Sequence, residues 1–375
     1  MSYLLRRLPL SRLLLLCGLV VALGASATAI AFALGAGPTP PAKPLAEAVH
    51  EALAAPPVDG VSARIQLTDR LLEGANLAAG SGGTAGKLAS SPLLTGASGR
   101  LWIARDGRAR LELQAEKGDT QILYDGHTVS LYDASTNTLY RYTPPAGKAG
   151  SSATGESGAQ ASAGHHEAPS VAKIEEAISH SSSHANVSGA TPTDIAGQAA
   201  YTVRISPKEG GSEIGGAELS WDAVHGVPLR AAIYSSTGSS PVIELAASEV
   251  SYGPVESSVF EFTPPANAKI EEVKIGEHEG AQPSGSSTGG GQPRVTTHGH
   301  GLATIAVLES QAKEGGQKSS PALPEGLQKV KLDGVTATEL PTALGTLLSF
   351  ERSGVRYLLA GAVTPATIEA VAKGL

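Results

Sequence analysis

Residues 198–265 read QAAYTVRISPKEGGSEIGGAELSWDAVHGVPLRAAIYSSTGSSPVIELAASEVSYGPVESSVFEFTPP. Tyr201, Val203 and Ile205 alternate with Thr202, Arg204 and Ser206, the period of a strand with one buried face. After a Lys-Glu-Gly-Gly turn, Ala217, Leu219 and Trp221 alternate with Glu218, Ser220 and Asp222. The pattern breaks at His225-Gly226 before Pro228, and Leu229, Ala231 and Ile233 begin a third strand. A fourth follows the polar turn at 235–240, and Phe260 and Phe262 close the stretch before Pro264-Pro265. Such a meander has one apolar face and requires a cover.

Upstream the grammar repeats. Leu45, Val49, Ala52 and Leu53 recur at helical spacing opposite Glu47, His50 and Glu51, and Pro56-Pro57 ends that helix. Val61, Ala63, Ile65 and Leu67 make a first strand. Strands follow at 100–105, 109–115, 120–124, 129–132 and 139–142, with hairpin reversals at Asp106-Gly107 and Asp125-Gly126. Val171, Ile174, Ala177 and Ile178 mark a second helix, which leads into the opening stretch. Residues 74–99 and 146–168 are Gly-, Ala- and Ser-rich and read as flexible loops.

The order predicts an α+β fold: a strongly curved antiparallel sheet forming an open half-barrel with lid helices, and a small C-terminal α+β domain. A closed sandwich is the competing architecture. The expected organisation is a cytoplasmic N-terminus (1–12), a transmembrane anchor or signal peptide (13–36), a spacer (37–44), the half-barrel domain (45–275), a linker (276–301) and the small domain (302–375). In the last, 302–308, 330–332, 347–351 and 355–363 read as strands, a helix is expected near 340–345, and Thr364 caps a final helix beginning at Pro365.

Arg6, Arg7 and Arg12 precede the apolar run, so the N-terminus is expected to stay in the cytoplasm and the folded part to be exported. Small-residue sites at 25–29 lie inside the run, which favours an uncleaved anchor over a removed signal. Lipidation of Cys17 is disfavoured because Leu16 stands where a small residue is needed. As the sole cysteine, Cys17 leaves the folded part without disulfides. Net charge is −7, which argues against a nucleic-acid partner. The chain holds 45 Gly and 24 Pro, so the folded share is smaller than its 375 residues suggest.

The strand ending WDAVHGVPLR, preceded by AYTVRISPK and followed by VSYGPVESSVFEFTPP, resembles the LolA-like lipoprotein carrier domain found in membrane-anchored actinobacterial proteins. It is also similar to the N-terminal domain of the RseB type. The likeness spans Leu45 to Val273, and the small C-terminal unit ending in RYLLAGAV looks like the tail domain that accompanies this type. The resemblance implies a half-barrel whose lid helices enclose an apolar cavity for acyl chains. None of the family's polar motifs maps onto this sequence, so no functional residue transfers.

Literal matches to catalytic motifs lack their context. Gly285-x-Ser287-x-Gly289 sits in a Gly/Ser linker without a strand before it or a helix after it. At Gly86-Lys87 a phosphate loop fails, because Ser81 replaces its first Gly and Leu88 its Ser or Thr. His165, His166, His180, His184, His298 and His300 lie mostly in polar segments without Cys or carboxylate at ligand spacing. No catalytic residue, metal ligand or cofactor is assigned, and a binding protein is expected rather than an enzyme.

The candidate ligand site is the apolar inner face: Ile65, Leu67, Leu111, Leu113, Val203, Ile205, Leu219, Trp221, Ile233, Phe260 and Phe262. Periodicity alone favours a dry, filled core. Small residues at Ala63, Ala109, Ala217 and Ala231, together with the family resemblance, favour room for a ligand. The expected partners are lipid or lipoprotein acyl chains, the cytoplasmic membrane, and a membrane protein met through the C-terminal domain.

Overall fold

The structure is a computed structural model that describes residues 37–73, 94, 96–115, 118–144, 168–273, 294–311, 323 and 327–375. Helix α1 (Leu45–Ala54) leads into β1 (Gly60–Asp69), followed by β2 (Ala97–Ala104), β3 (Ala109–Ala115), β4 (Gly118–Tyr124), β5 (Val129–Asp133) and β6 (Thr138–Tyr142). After α2 (Val171–Ser181) come β7 (Ala185–Val187), β8 (Thr191–Ile195), β9 (Gln198–Pro207), β10 (Ile214–Asp222), β11 (Pro228–Ser235), β12 (Pro241–Tyr252) and β13 (Lys269–Glu272). The Asp-Gly reversals form as the sequence predicts. Gly107 and Gly126 take φ of +87° and +100°, and Asp125 Oδ1 accepts from His127 N and Thr128 N at 2.8 and 2.7 Å.

These thirteen strands make one curved sheet, ordered β13-β6-β5-β4-β3-β2-β1-β12-β11-β10-β9-β7, with β8 also paired to β9. It is not closed into a barrel. Its seam is β1 against β12, in register from Val61↔Tyr252 to Asp69↔Ile243 with a slip between Arg64 and Ile65. The two meanders read separately in the sequence are therefore halves of one surface. All neighbours are antiparallel except β13, which runs parallel to β6.

The C-terminal unit is a six-stranded sheet of β14 (Arg294–His298), β15 (Ile305–Gln311), β16 (Gln328–Leu332), β17 (Val335–Thr342), β18 (Gly345–Arg352) and β19 (Val355–Gly361), ordered β14-β15-β19-β18-β17-β16. Helix α3 (Pro365–Lys373) begins where the Thr364 hydroxyl accepts from Thr367 N, and packs on β16, β18 and β19. Val307, Leu332, Leu348, Leu359, Val363 and Ile368 close a core with 0% exposure. Backbone bonds join the two sheets: Glu213 N donates to Ala362 O at 2.7 Å, and Ala343 N to Leu71 O at 2.9 Å.

Five expectations need correction. The helix expected near 340–345 is instead the β17–β18 hairpin, with Leu340 opposite Leu347; a short apolar run alone does not separate helix from strand. The strand expected from Leu302 begins at Ile305, after a 3-10 turn at Gly301–Ala303, and residues 294–298, read as linker, form β14. β2 starts at Ala97, inside the expected loop 74–99. Finally, the single membrane pass is not retained: among the described residues no helix is long and apolar enough to cross a membrane. The run at 13–36 that carried it lies outside those residues, and the localisation drawn from it is dropped.

Candidate ligand-binding face

Partners in an antiparallel sheet project to the same side, so the register converts the strand patterns into lines across the surface. One line is Leu67, Leu245, Ala231, Leu219 and Val203, on β1, β12, β11, β10 and β9. Beside it run Ile243, Ile233, Ala217 and Ile205. Small Ala231 and Ala217 separate the larger side chains and leave shallow gaps. Ile205 is 46% exposed, Leu219 43% and Leu245 38%, whereas core leucines are normally sealed.

Helix α1 covers the next part of this face. Its Ala48 packs with Tyr201, Val203 and Trp221, all buried, and Leu45, Val49 and Ala52 lie against them. Tyr201 Oη donates to Pro41 O at 2.6 Å, tying the approach to α1 down. His50 Nδ1 lies 2.8 Å from Pro169 O, which links α1 to the start of α2. Trp221 Nε1 is buried without a partner in the described residues.

The turn after β10 seats this helix. Asp222 is 1% exposed; its Oδ1 accepts from Val224 N and His225 N at 2.7 Å each, and its Oδ2 from Tyr252 Oη at 2.7 Å. Burial alone would raise its pKa, but the bonds from His225 N–H and Tyr252 outweigh that and hold the carboxyl below its usual range. Gly226 follows with φ of +67°, and a Cβ there would stand 2.1 Å from Ala52 O. The stretch from Asp222 to Leu229, within the WDAVHGVPLR of the family resemblance, is thus a turn that lets the end of α1 touch the sheet.

Of the expected site residues, Ile65, Leu67, Leu111, Leu113, Val203, Ile205, Leu219, Trp221 and Ile233 share this face. In the first half it is closed: Ile65, Ala97 and Leu113 form a buried cluster with Ala63, Leu67, Leu101 and Leu111 against it. Phe260 and Phe262 lie on the opposite side. The Arg108 guanidinium sits 4.9 Å over the Phe260 ring, Phe262 packs 5.4 Å from Tyr132, and Arg110 Nη1 donates to Val259 O at 2.7 Å. Gly253 and Pro254 end β12, so strand alternation cannot be counted across them to the phenylalanines.

Sequence reasoning missed Tyr201, Ile243 and Leu245, although the alternation in VIELA carried the last two. Beyond Ile205 the face runs into a cavity of about 440 Å³ between the two sheets, lined by Ile205, Ile214 and Ala217 on one side and Leu302 and Ala303 on the other. The opposite face at this end is ionic. Glu218 holds Arg204 at 2.9 Å and Arg230 at 2.8 Å, accepts from Tyr234 Oη at 2.7 Å, and Arg230 continues to Glu244.

Among the described residues no group of three or more His, Cys, Asp and Glu side chains is placed to hold a metal ion. The matches at 86–87 and 285–289, and His165 and His166, lie outside them.

No family model matches the sequence, and no curated protein does. Among solved structures the chain is similar to the Pseudomonas aeruginosa MucA/MucB complex, at 15% identity and TM-score 0.40 over 87% of this chain and 95% of that one. It is similar to a LolA superfamily protein from Nitrosomonas europaea, at 8% identity and TM-score 0.18 over 85% and 91%. A third is a putative outer membrane lipoprotein-sorting protein domain from Vibrio parahaemolyticus, at 10% identity and TM-score 0.18 over 84% and 89%. The structural neighbours of this chain therefore include MucB and members of the LolA superfamily.

Proposed function

We propose that this chain is a cell-envelope carrier that holds an acyl chain, of a lipid or of a lipoprotein, on the apolar face of its larger sheet. The observation that supports this most is the half-exposed line Leu245–Ala231–Leu219, flanked by Ile205 and running into the cavity under Leu302. Each methylene laid on such a surface gains about 0.8 kcal/mol.

A second reading is an RseB-like sensor that regulates a membrane partner such as an anti-sigma factor. It is favoured by one observation, that Leu302 and Ala303 of the C-terminal unit complete the cavity, so occupancy would be felt by both units. Native mass spectrometry of the full chain tests the first reading. A bound lipid is expected, lost in Leu219→Asp with the circular dichroism spectrum unchanged. A chain that carries no lipid and takes up no fluorescent fatty-acid probe sinks the carrier reading. Capture of a membrane protein that is lost on deleting residues 302–375 supports the second.

A further inference from the structure

We propose that the face opposite the apolar one carries a separate site, for a phosphate group, centred on Arg64 and Arg100. The two are direct partners across β1 and β2, so like charges face each other, an arrangement that destabilises a sheet unless something of opposite sign lies between them. Their neighbours in the same line do not fully discharge them. Glu249 reaches Arg64 at 3.2 Å in an open position, and Glu112 is engaged by Arg110 at 2.6 Å. Among the described residues Arg100 makes no ion pair.

The backbone around this pair is irregular on one side and closely approached on the other. The β1–β12 register slips between Arg64 and Ile65, leaving Ser248 bulged. On the other side β3 approaches Gly99 so closely that a Cβ would stand 1.9 Å from Glu112 O. Between them lies a cavity of about 510 Å³ lined by Arg64, Arg100, Gln66, Ser98, Gln114 and Ser248, together with Ile65, Gly99 and Glu112, the one carboxylate in the lining, whose charge is taken up by Arg110. Gln66, Ser98 and Gln114 are themselves one line across β1, β2 and β3, adjacent to the arginine line. Two guanidinium forks beside a row of uncharged amide and hydroxyl donors match a tetrahedral oxyanion, which accepts several bonds at once. A soluble phosphate ester and a lipid headgroup present this same recognition chemistry. Because this face points away from the acyl-chain face, the site stands or falls independently of the carrier reading.

Calorimetric titration of the full chain with inorganic phosphate, and co-sedimentation with phosphatidylglycerol against phosphatidylcholine vesicles, distinguish the two sources. Arg64→Gln and Arg100→Gln are the variants, with Lys331→Gln on β16 as a remote charge control. Binding to inorganic phosphate assigns a soluble ester, and binding only to the anionic vesicles assigns a headgroup. Either is expected to weaken about tenfold or more in each arginine variant. Without phosphate, Arg100→Gln is expected to melt about 1–3 °C higher than the parent, through relief of the like-charge pair, and phosphate is expected to raise only the parent's Tm. Failure of both probes to bind overturns the site, as does binding that survives both arginine variants or falls equally in Lys331→Gln.

Discussion

The β15–β19 sheet and the β9–β12 region use the same side chains to opposite ends. In the first, Leu332, Leu348 and Leu359 have no exposure, because a nine-residue helix with Ile368 and Ala372 lies along the sheet. In the second, Leu219 and Leu245 remain about two-fifths open, because the cluster under ten-residue α1 takes in Tyr201, Val203 and Trp221 but neither of these leucines. Alternating apolar residues thus specify a strand but not whether its face is sealed. What seals it is the helix laid on top and how far that helix extends.

The comparison is most exposed to core truncation. Leu359→Ala is expected to cost about 3–5 kcal/mol in urea unfolding, through a cavity that cannot collapse, and Leu219→Ala less than about 1 kcal/mol. Equal losses would mean that the β9–β12 face is an ordinary core. Next in size is Gly226→Ala, expected to cost about 1–3 kcal/mol, because both its positive φ and the close Ala52 carbonyl forbid a side chain. Its signature is a red shift of tryptophan emission as α1 lifts from Trp221; an unshifted spectrum would show that α1 is seated by something else.

A smaller effect distinguishes the ionic face. Burial opposes ionisation of Glu218, but bonds from Tyr234, Arg230 and Arg204 outweigh it and hold its pKa below the usual carboxylate value. The stability it contributes is therefore present above the unfolded-state pKa of about 4.3 and is lost as pH falls through the lower folded value. Glu218→Gln is expected to cost about 1–2 kcal/mol at pH 7 and to flatten the acid limb of a Tm–pH curve. Smallest is Glu339 in the C-terminal unit, 2% exposed, whose pKa is raised by burial and by Glu369. There the fold favours the protonated acid, so stability is fullest below the unfolded pKa and declines as pH rises through the folded one. Glu339→Gln is expected to melt slightly above the parent at pH 7 and to lose that advantage by pH 4.

The strands were legible wherever one side of a hairpin faced a core, because Val61–Leu67, Ala109–Ala115 and Tyr201–Ile205 all carry the two-residue period. β7 and β8 were not. Their short segments, with Pro192 inside β8, gain their structure from pairing with β9 rather than from their own pattern. The alternation placed the strand residues on one shared face, as the register has them. It misplaced Phe260 and Phe262 because facing depends on a count that Gly253 and Pro254 interrupt. Which apolar residues are left open depends on where α1 stops, and no local pattern encodes that.

The parallel strand β13 has a consequence for how the protein behaves in a crowd. A sheet that keeps an apolar face partly open also ends in two rows of unpaired backbone groups, and either could recruit another chain. Here one end closes with four residues, Lys269–Glu272, three of them charged, and the other with two separate short strands on β9, Ala185–Val187 and Thr191–Ile195, the second carrying Pro192. Strands this short make poor templates for further pairing. The larger sheet can therefore keep part of its apolar face open without stacking edge to edge into fibres.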